Sequence, residues 1–155
     1  MQTGQVVSIH ISPAAHSPMV SVEEVRAVPG KGLEGDRYHE GMGTWSDHPG
    51  GGREITLIEI EAIEALGRDY GIALDPGDAR RNVVTRGVAL NHLIGKDLRI
   101  GEVVVRAIRL CDPCRHLEKL SRPRVRAGLV HRGGLRTEIV TGGMLRAGDP
   151  IEILG

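Results

Sequence analysis

Phenylalanine is absent from this 155-residue chain, and tryptophan and tyrosine together number three. Surfaces that hold single-stranded nucleic acid stack bases on several aromatic side chains, so that class of function is excluded. Cysteine occurs twice, too rarely for a disulfide scaffold. No apolar run approaches the roughly 20 residues of a membrane span. The N-terminus lacks a basic stretch followed by an apolar one, so no export signal is expected. The corresponding expectation is a cytoplasmic protein with reduced thiols.

What is present describes a soluble globular chain. Hydrophobic residues make up 40% and charged residues 26%. The length suits one core, and no linker or break in composition appears. A single domain over residues 1–155 is therefore expected. The net charge is zero, yet residues 1–78 hold 13 acidic and 5 basic side chains, and residues 79–155 hold 7 acidic and 15 basic ones. Arginine outnumbers lysine 17 to 3. Guanidinium groups hold oxyanions through paired hydrogen bonds, so a small anionic ligand near the C-terminal half is one implication. Neutralisation of one half by the other within the fold is the alternative. The basic residues are dispersed, which argues against a nucleic-acid partner.

Alternation and β-branching predict strands at Gln5–Ile11, Val20–Val28, Glu54–Ile58, Asn82–Arg86, Asp97–Ile100, Glu102–Leu110, Leu135–Thr141 and Pro150–Leu154. Apolar residues at helical spacing predict one main helix over Glu59–Tyr70, stopped by Gly71. Asn91–Ile94 reads as one helical turn, and Arg115–Leu120 and Arg124–His131 as short helices. Residues 29–53 read as a long Gly-rich loop, of a length that usually marks function or disorder. Leu98–Glu102 and Leu145–Asp149 echo each other as tight turns feeding strands. About eight short strands with such turns suggest a closed or strongly bent sheet, because closure removes exposed edges.

Chemistry concentrates at Leu110-Cys111-Asp112-Pro113-Cys114-Arg115-His116. The pair follows a predicted strand and leads into a predicted helix, where a thiolate gains from unpaired N–H groups and from basic neighbours. A redox pair, a zinc site completed by His116 and His131, a single reactive Cys114, and two inert buried cysteines all remain open. Cys114 could carry sulfur or ligate molybdenum as a thiolate. In Arg80-Arg81-Asn82-Val83-Val84-Thr85-Arg86, alternation places Arg80, Asn82 and Arg86 on one face and Arg81 on the other. The first face suits a phosphate or pterin edge, or is simply a solvated surface. His131-Arg132-Gly133-Gly134-Leu135-Arg136 is a basic, Gly-rich turn that lets backbone approach a ligand, or is only a turn. Gly32-Leu33-Glu34-Gly35-Asp36-Arg37 combines turn residues with a potential Asp36–Arg37 pair, which either belongs to a site or only braces the loop.

Taken in order, these segments resemble the MOSC domain, the module named for the C-terminal part of molybdenum cofactor sulfurase. The resemblance rests on Gly32–Arg37, Arg81–Gly87, Leu93–Lys96, Pro113-Cys114, Arg132–Arg136 and Gly148-Asp149, and spans almost the whole chain. It implies a mostly β fold with a few helices (α+β), a barrel of mixed strands. It also implies handling of sulfur, or of the molybdenum–pterin cofactor, through one key cysteine. That position falls on Cys114, as persulfide carrier or metal ligand, with Cys111 as a second thiol that departs from the pattern. The middle and late Arg positions of the family fall on Arg81, Arg86 and Arg136, and Asn82, His131, Arg132, Asp36 and Arg37 join them as candidate cofactor-binding residues. With only this module in the sequence, sulfur would come from a cysteine desulfurase and electrons from a redox partner protein. A zinc-stabilised or thiol-switch binding module, using Cys111, Cys114, His116 and His131 without catalysis, is the alternative from another class.

Overall fold

Alternation along the strands sets the architecture, because each strand has one face turned to a common apolar interior. The structure, a computed structural model, describes residues 2–14, 17–36, 54–111, 128–129 and 132–155. Within these, the order is β1 (Gln2–Ile11), β2 (Val20–Val22), β3 (Glu24–Val28), β4 (Gly32–Leu33), β5 (Ile55–Glu59), α1 (Ile60–Tyr70), β6 (Val83–Arg86), β7 (Asp97–Ile100), β8 (Val103–Leu110), β9 (Leu135–Thr141), β10 (Gly143–Arg146) and β11 (Pro150–Ile153). Short 3-10 turns lie at Pro76–Ala79 and Leu90–His92. Among the described residues, no helix is long and apolar enough to cross a membrane.

The main sheet runs β11-β7-β8-β9-β5-β6-β1, and β11 pairs again with β1, so seven strands close into a barrel. Every contact in the ring is antiparallel except β5–β6, which makes it the mixed barrel expected. A parallel pair needs a crossover, and α1 with the turn after it supplies one. β2 extends the sheet beyond β1, while β10, β3 and β4 form a second sheet. That small sheet contributes Val25, Ala27, Leu33 and Leu145 to the same apolar cluster as the barrel strands.

β5 and β6 are buried on both faces. Leu57 and Val83 join the barrel cluster, while Ile58 and Val84 turn outward beneath α1 and meet Ile63 and Leu66. This accounts for their nearly continuous apolar sequences, which strands covered on both sides require. α1 spans 11 residues, buries Ile60, Ala62, Ile63, Ala65 and Leu66, and ends on Gly71 in the left-handed region.

The expected strand over Val20–Val28 is two strands. Val20 and Val22 keep one parity, and Val25 and Ala27, the buried pair, keep the other. A phase change of one residue turns a strand's faces over. The chain breaks at Glu23 and passes from the main sheet to the small one. Gly32–Leu33, expected as loop, pairs with β3. The turn expected within Leu145–Asp149 forms at Ala147–Gly148, and the strand leading into it, β10 at Gly143–Arg146, is an addition to the expected set. The helices expected over 115–120 and 124–131 lie mostly or wholly outside the described residues.

The two apolar layers differ in what a truncation costs. Leu66 is fully buried between α1 and the barrel wall, whereas Val20 is 51% exposed on the outermost strand. Leu66→Ala should lower unfolding free energy by about 2–5 kcal/mol in urea titration. Val20→Ala should change it by less than about 0.5 kcal/mol.

Candidate functional site

Arg81 lies just ahead of β6 and is buried to 8% exposure. Its Nε–H donates to the Gly133 carbonyl at 2.7 Å and its Nη2 donates to the Cys111 carbonyl at 3.2 Å. Cys111 follows β8 and Gly133 precedes β9. The guanidinium therefore clasps both ends of the segment that joins these strands, the segment that carries Cys114. The Cys111 N–H closes the neck by donating to the Gly134 carbonyl at 2.7 Å. A rigid, forked cation suits two converging carbonyls, and satisfying them offsets its burial. Cys111 itself is buried.

Gly134 is dictated by the same neck. Its φ is +107°, and a Cβ there would stand 2.0 Å from the Leu57 carbonyl oxygen. The close approach anticipated for this turn is made by the backbone of β5.

Asn82 stitches three strands. Its Oδ1 accepts from the Thr56 N–H at 3.0 Å and the Thr56 hydroxyl at 3.2 Å. Its Nδ2 donates to the His10 carbonyl at 3.1 Å, and its own carbonyl accepts the His10 N–H at 2.6 Å. Arg80 donates to the Ser17 carbonyl at 2.6 Å, and exposed Arg86 pairs with Glu64 at 3.1 Å. The face expected to offer Arg80, Asn82 and Arg86 together to a phosphate is thus committed to internal partners. Alternation assigned those residues to one face, and the need to satisfy polar groups around the strands decided what they bond to.

Asp36 is fully buried, and its carboxylate accepts the Ser12 N–H at 3.0 Å, fastening the Gly32–Asp36 turn to the end of β1. Arg37, Cys114, His116 and His131 lie outside the described residues. Among the described residues, no group of three or more His, Cys, Asp or Glu side chains is placed to hold a metal.

Arg136 is half-buried on β9, opposite Thr56 of β5 on one side and Arg109 of β8 on the other. Two like charges across one ladder repel. Neither guanidinium has an ion pair or hydrogen bond among the described residues. Arg109 was not singled out in the sequence. Its position two residues before Cys111, on a strand that pairs with the Gly-rich turn's strand, was the available signal.

Arg132 lies elsewhere, on a cleft of about 240 Å³ lined also by Glu59, Glu61, Ala62, Ala89, Asn91 and His92. Burial pushes the Glu59 carboxyl above its ordinary pKa, the Leu90 N–H at 3.3 Å opposes that, and the Glu61 charge adds to it. Arg132 and His92 pull it back. Of these residues only Arg132 had been singled out. The others sit at a helix start and in a 3-10 turn, where periodicity carries no sign of a shared cavity.

A family model described as MOSC domain matches residues 44–152. No curated protein matches the chain. Among solved structures, the YuaD protein from Bacillus subtilis superposes with a TM-score of 0.79 at 17% identity, covering 97% of this chain and 94% of that one. YiiM from Geobacillus stearothermophilus gives 0.75 at 16% identity, covering 98% and 75%. YiiM from Escherichia coli gives 0.69 at 18%, covering 100% and 70%. At these identities the likeness establishes a shared fold.

The clasp sets one expectation for stability. Arg81→Ala leaves two enclosed carbonyls without their donor and should cost about 1–3 kcal/mol in urea titration. Arg81→Lys, which lacks the fork, should recover only part of the loss. His10 sets another. Burial holds its imidazole below the ordinary value of 6.5, with Asp78 opposing, while the ring shares a 2.8 Å hydrogen bond with the Ser8 hydroxyl. The folded state therefore binds fewer protons here than the unfolded state. The associated stability is complete above the unfolded pKa and declines as pH falls through the lowered folded value. Urea midpoints should drop between about pH 7 and pH 5, and His10→Gln should flatten that drop.

Proposed function

The chain belongs to the MOSC domain family, and on that premise we propose that it carries sulfur on the thiol of Cys114, as a single module spanning residues 1–155. The observation that supports this reading is the Arg81 clasp. It fixes both ends of the Cys114 segment while leaving Cys111 enclosed and engaged through its backbone. Cys114 follows the anchored Cys111 by three residues, so the clasp bounds how far along the chain its thiol can lie from the scaffold, about 11 Å at most. Cys114 is then the thiol that works, and Cys111 the residue that moors it.

The transfer balances without an oxidant. The Cys114 thiolate attacks the outer sulfur of a donor persulfide. The donor's S–S bond breaks, the donor leaves as a thiolate, and Cys114 holds the persulfide. Delivery repeats the exchange, with an acceptor nucleophile taking the outer sulfur and Cys114 leaving as thiolate. A cysteine desulfurase is the donor class. A reducing cytoplasmic compartment keeps Cys114 available as a thiol.

A second reading is favoured by Arg109 and Arg136. Of the arginines considered for the molybdenum–pterin cofactor, Arg81 and Arg86 have internal partners, whereas this juxtaposed pair suits a doubly charged phosphate. Arg109 and Arg136 would hold the phosphate, and Cys114 would be the thiolate ligand. When bound, the cofactor would supply oxygen-atom or electron transfer at its metal, with electrons from a redox partner protein.

Intact-mass analysis after incubation with a persulfide donor tests the first reading. Wild-type protein and Cys111→Ser should each gain the mass of one sulfur atom, and Cys114→Ser should gain none. Loading that survives in Cys114→Ser, or fails in folded wild type, removes the reading. Near-stoichiometric molybdenum in the same protein, lost in the Arg109→Gln/Arg136→Gln double variant, would establish the second in its place.

A further inference from the structure

The cleft at the start of α1 has walls of both signs. Glu59 and Glu61 come from the helix start, His92 from the 3-10 turn, and Arg132 from the residue before the Gly133–Gly134 neck. Ala62 and Ala89 also line it and bring no polar side chain, leaving space between the charged groups. Its volume, about 240 Å³, lies below the range of drug-sized pockets and suits a molecule of a few heavy atoms.

The acidic wall is fixed and incompletely partnered. Glu61 Oε2 accepts the Gly87 N–H at 2.9 Å, and Glu59 Oε2 accepts the Leu90 N–H at a long 3.3 Å. Among the described residues, the other Glu61 oxygen, Oε1, is enclosed and has no hydrogen-bond partner. An enclosed carboxylate with one oxygen unsatisfied is costly unless positive charge comes close. Arg132 and His92 face Glu59, but both are largely exposed and do not close an ion pair with it among the described residues.

Charge of one sign alone fits this cleft poorly. A simple anion meets Glu59 and Glu61, and a simple cation meets Arg132 and His92. A ligand carrying both charges a few bonds apart meets neither penalty. We propose that the cleft binds a small zwitterion of the α-amino-acid class, with its ammonium group toward Glu59 and Glu61 and its carboxylate toward Arg132 and His92. The small side chains of Ala62 and Ala89 accommodate a short ligand side chain. Neither Cys114 nor any transfer step is required, so this inference stands apart from the sulfur-carrying one.

The test titrates glycine, L-alanine, L-serine and L-cysteine into full-length 15N-labelled protein, with propionate and ethylamine as the separate halves of the zwitterion. At least one amino acid should shift the amides of Glu61, Ala62, Ala89 and His92 and bind at least tenfold more tightly than either half. Glu59→Gln and Arg132→Gln, each checked for an intact amide spectrum, should reduce its affinity to the level of the halves. Cys114→Ser should bind as wild type does. Equal binding of the halves, full affinity in both charge variants, or no shift at the cleft with any of the four amino acids would overturn the proposal.

Discussion

The Arg81 clasp is the interaction on which the candidate site depends. One guanidinium, held at the start of β6, fixes the carbonyls at the end of β8 and the start of β9. Those strands are ladder neighbours, but β6 lies two positions beyond β9 around the ring. The clasp therefore ties the segment bearing Cys114 to the barrel wall rather than only to its own hairpin. Burying a cation is unfavourable unless its donors are matched, and two backbone carbonyls provide the match. Arginine here serves geometry, and the charge asymmetry of the sequence is accordingly a weaker guide to ligand binding than it first suggests.

Several expected binding residues prove to be structural for a common reason. A barrel of short strands has many ends, and each leaves backbone groups that need partners. Asn82, Asp36 and Arg80 meet that need. What remains available for ligands among the described residues is the Arg109–Arg136 pair and the cleft of Glu59, His92 and Arg132. The two lie on elements that converge on the neck of the same segment, since Arg109 precedes Cys111 and Arg132 precedes Gly133.

Much of the fold was legible in the sequence. Asp97–Ile100 and Leu135–Thr141 were bounded as observed, and Glu59–Tyr70 within one residue, because each has an uninterrupted period and clear stops. Closure was legible in the paired turns at Gly101 and Gly148. The break at Glu23 was visible only as a change of parity between Val22 and Val25, easily lost in a run of valines. The site was less legible. Alternation tells which face a side chain takes, as for Arg81 against Asn82, and is silent about what lies across the fold. No periodicity links Arg81 to Gly133, 52 residues away. Nor could it bring Glu59, His92 and Arg132 to one cleft. The Pro113-Cys114 resemblance pointed to chemistry, while the described residues supply its moorings.

The ring closes where β11 pairs with β1, joining residues 2–5 to residues 150–152. On a ribosome, β1 would emerge well before the strand it pairs with. Until then part of its hydrogen-bonding edge faces solvent, with Val6 and Ile9 not yet enclosed. Contacts so distant in sequence also slow folding, because the chain must close a long loop before they form. Vectorial synthesis therefore gives this protein a window of exposure that its finished barrel conceals, and within that window chaperone capture competes with self-association.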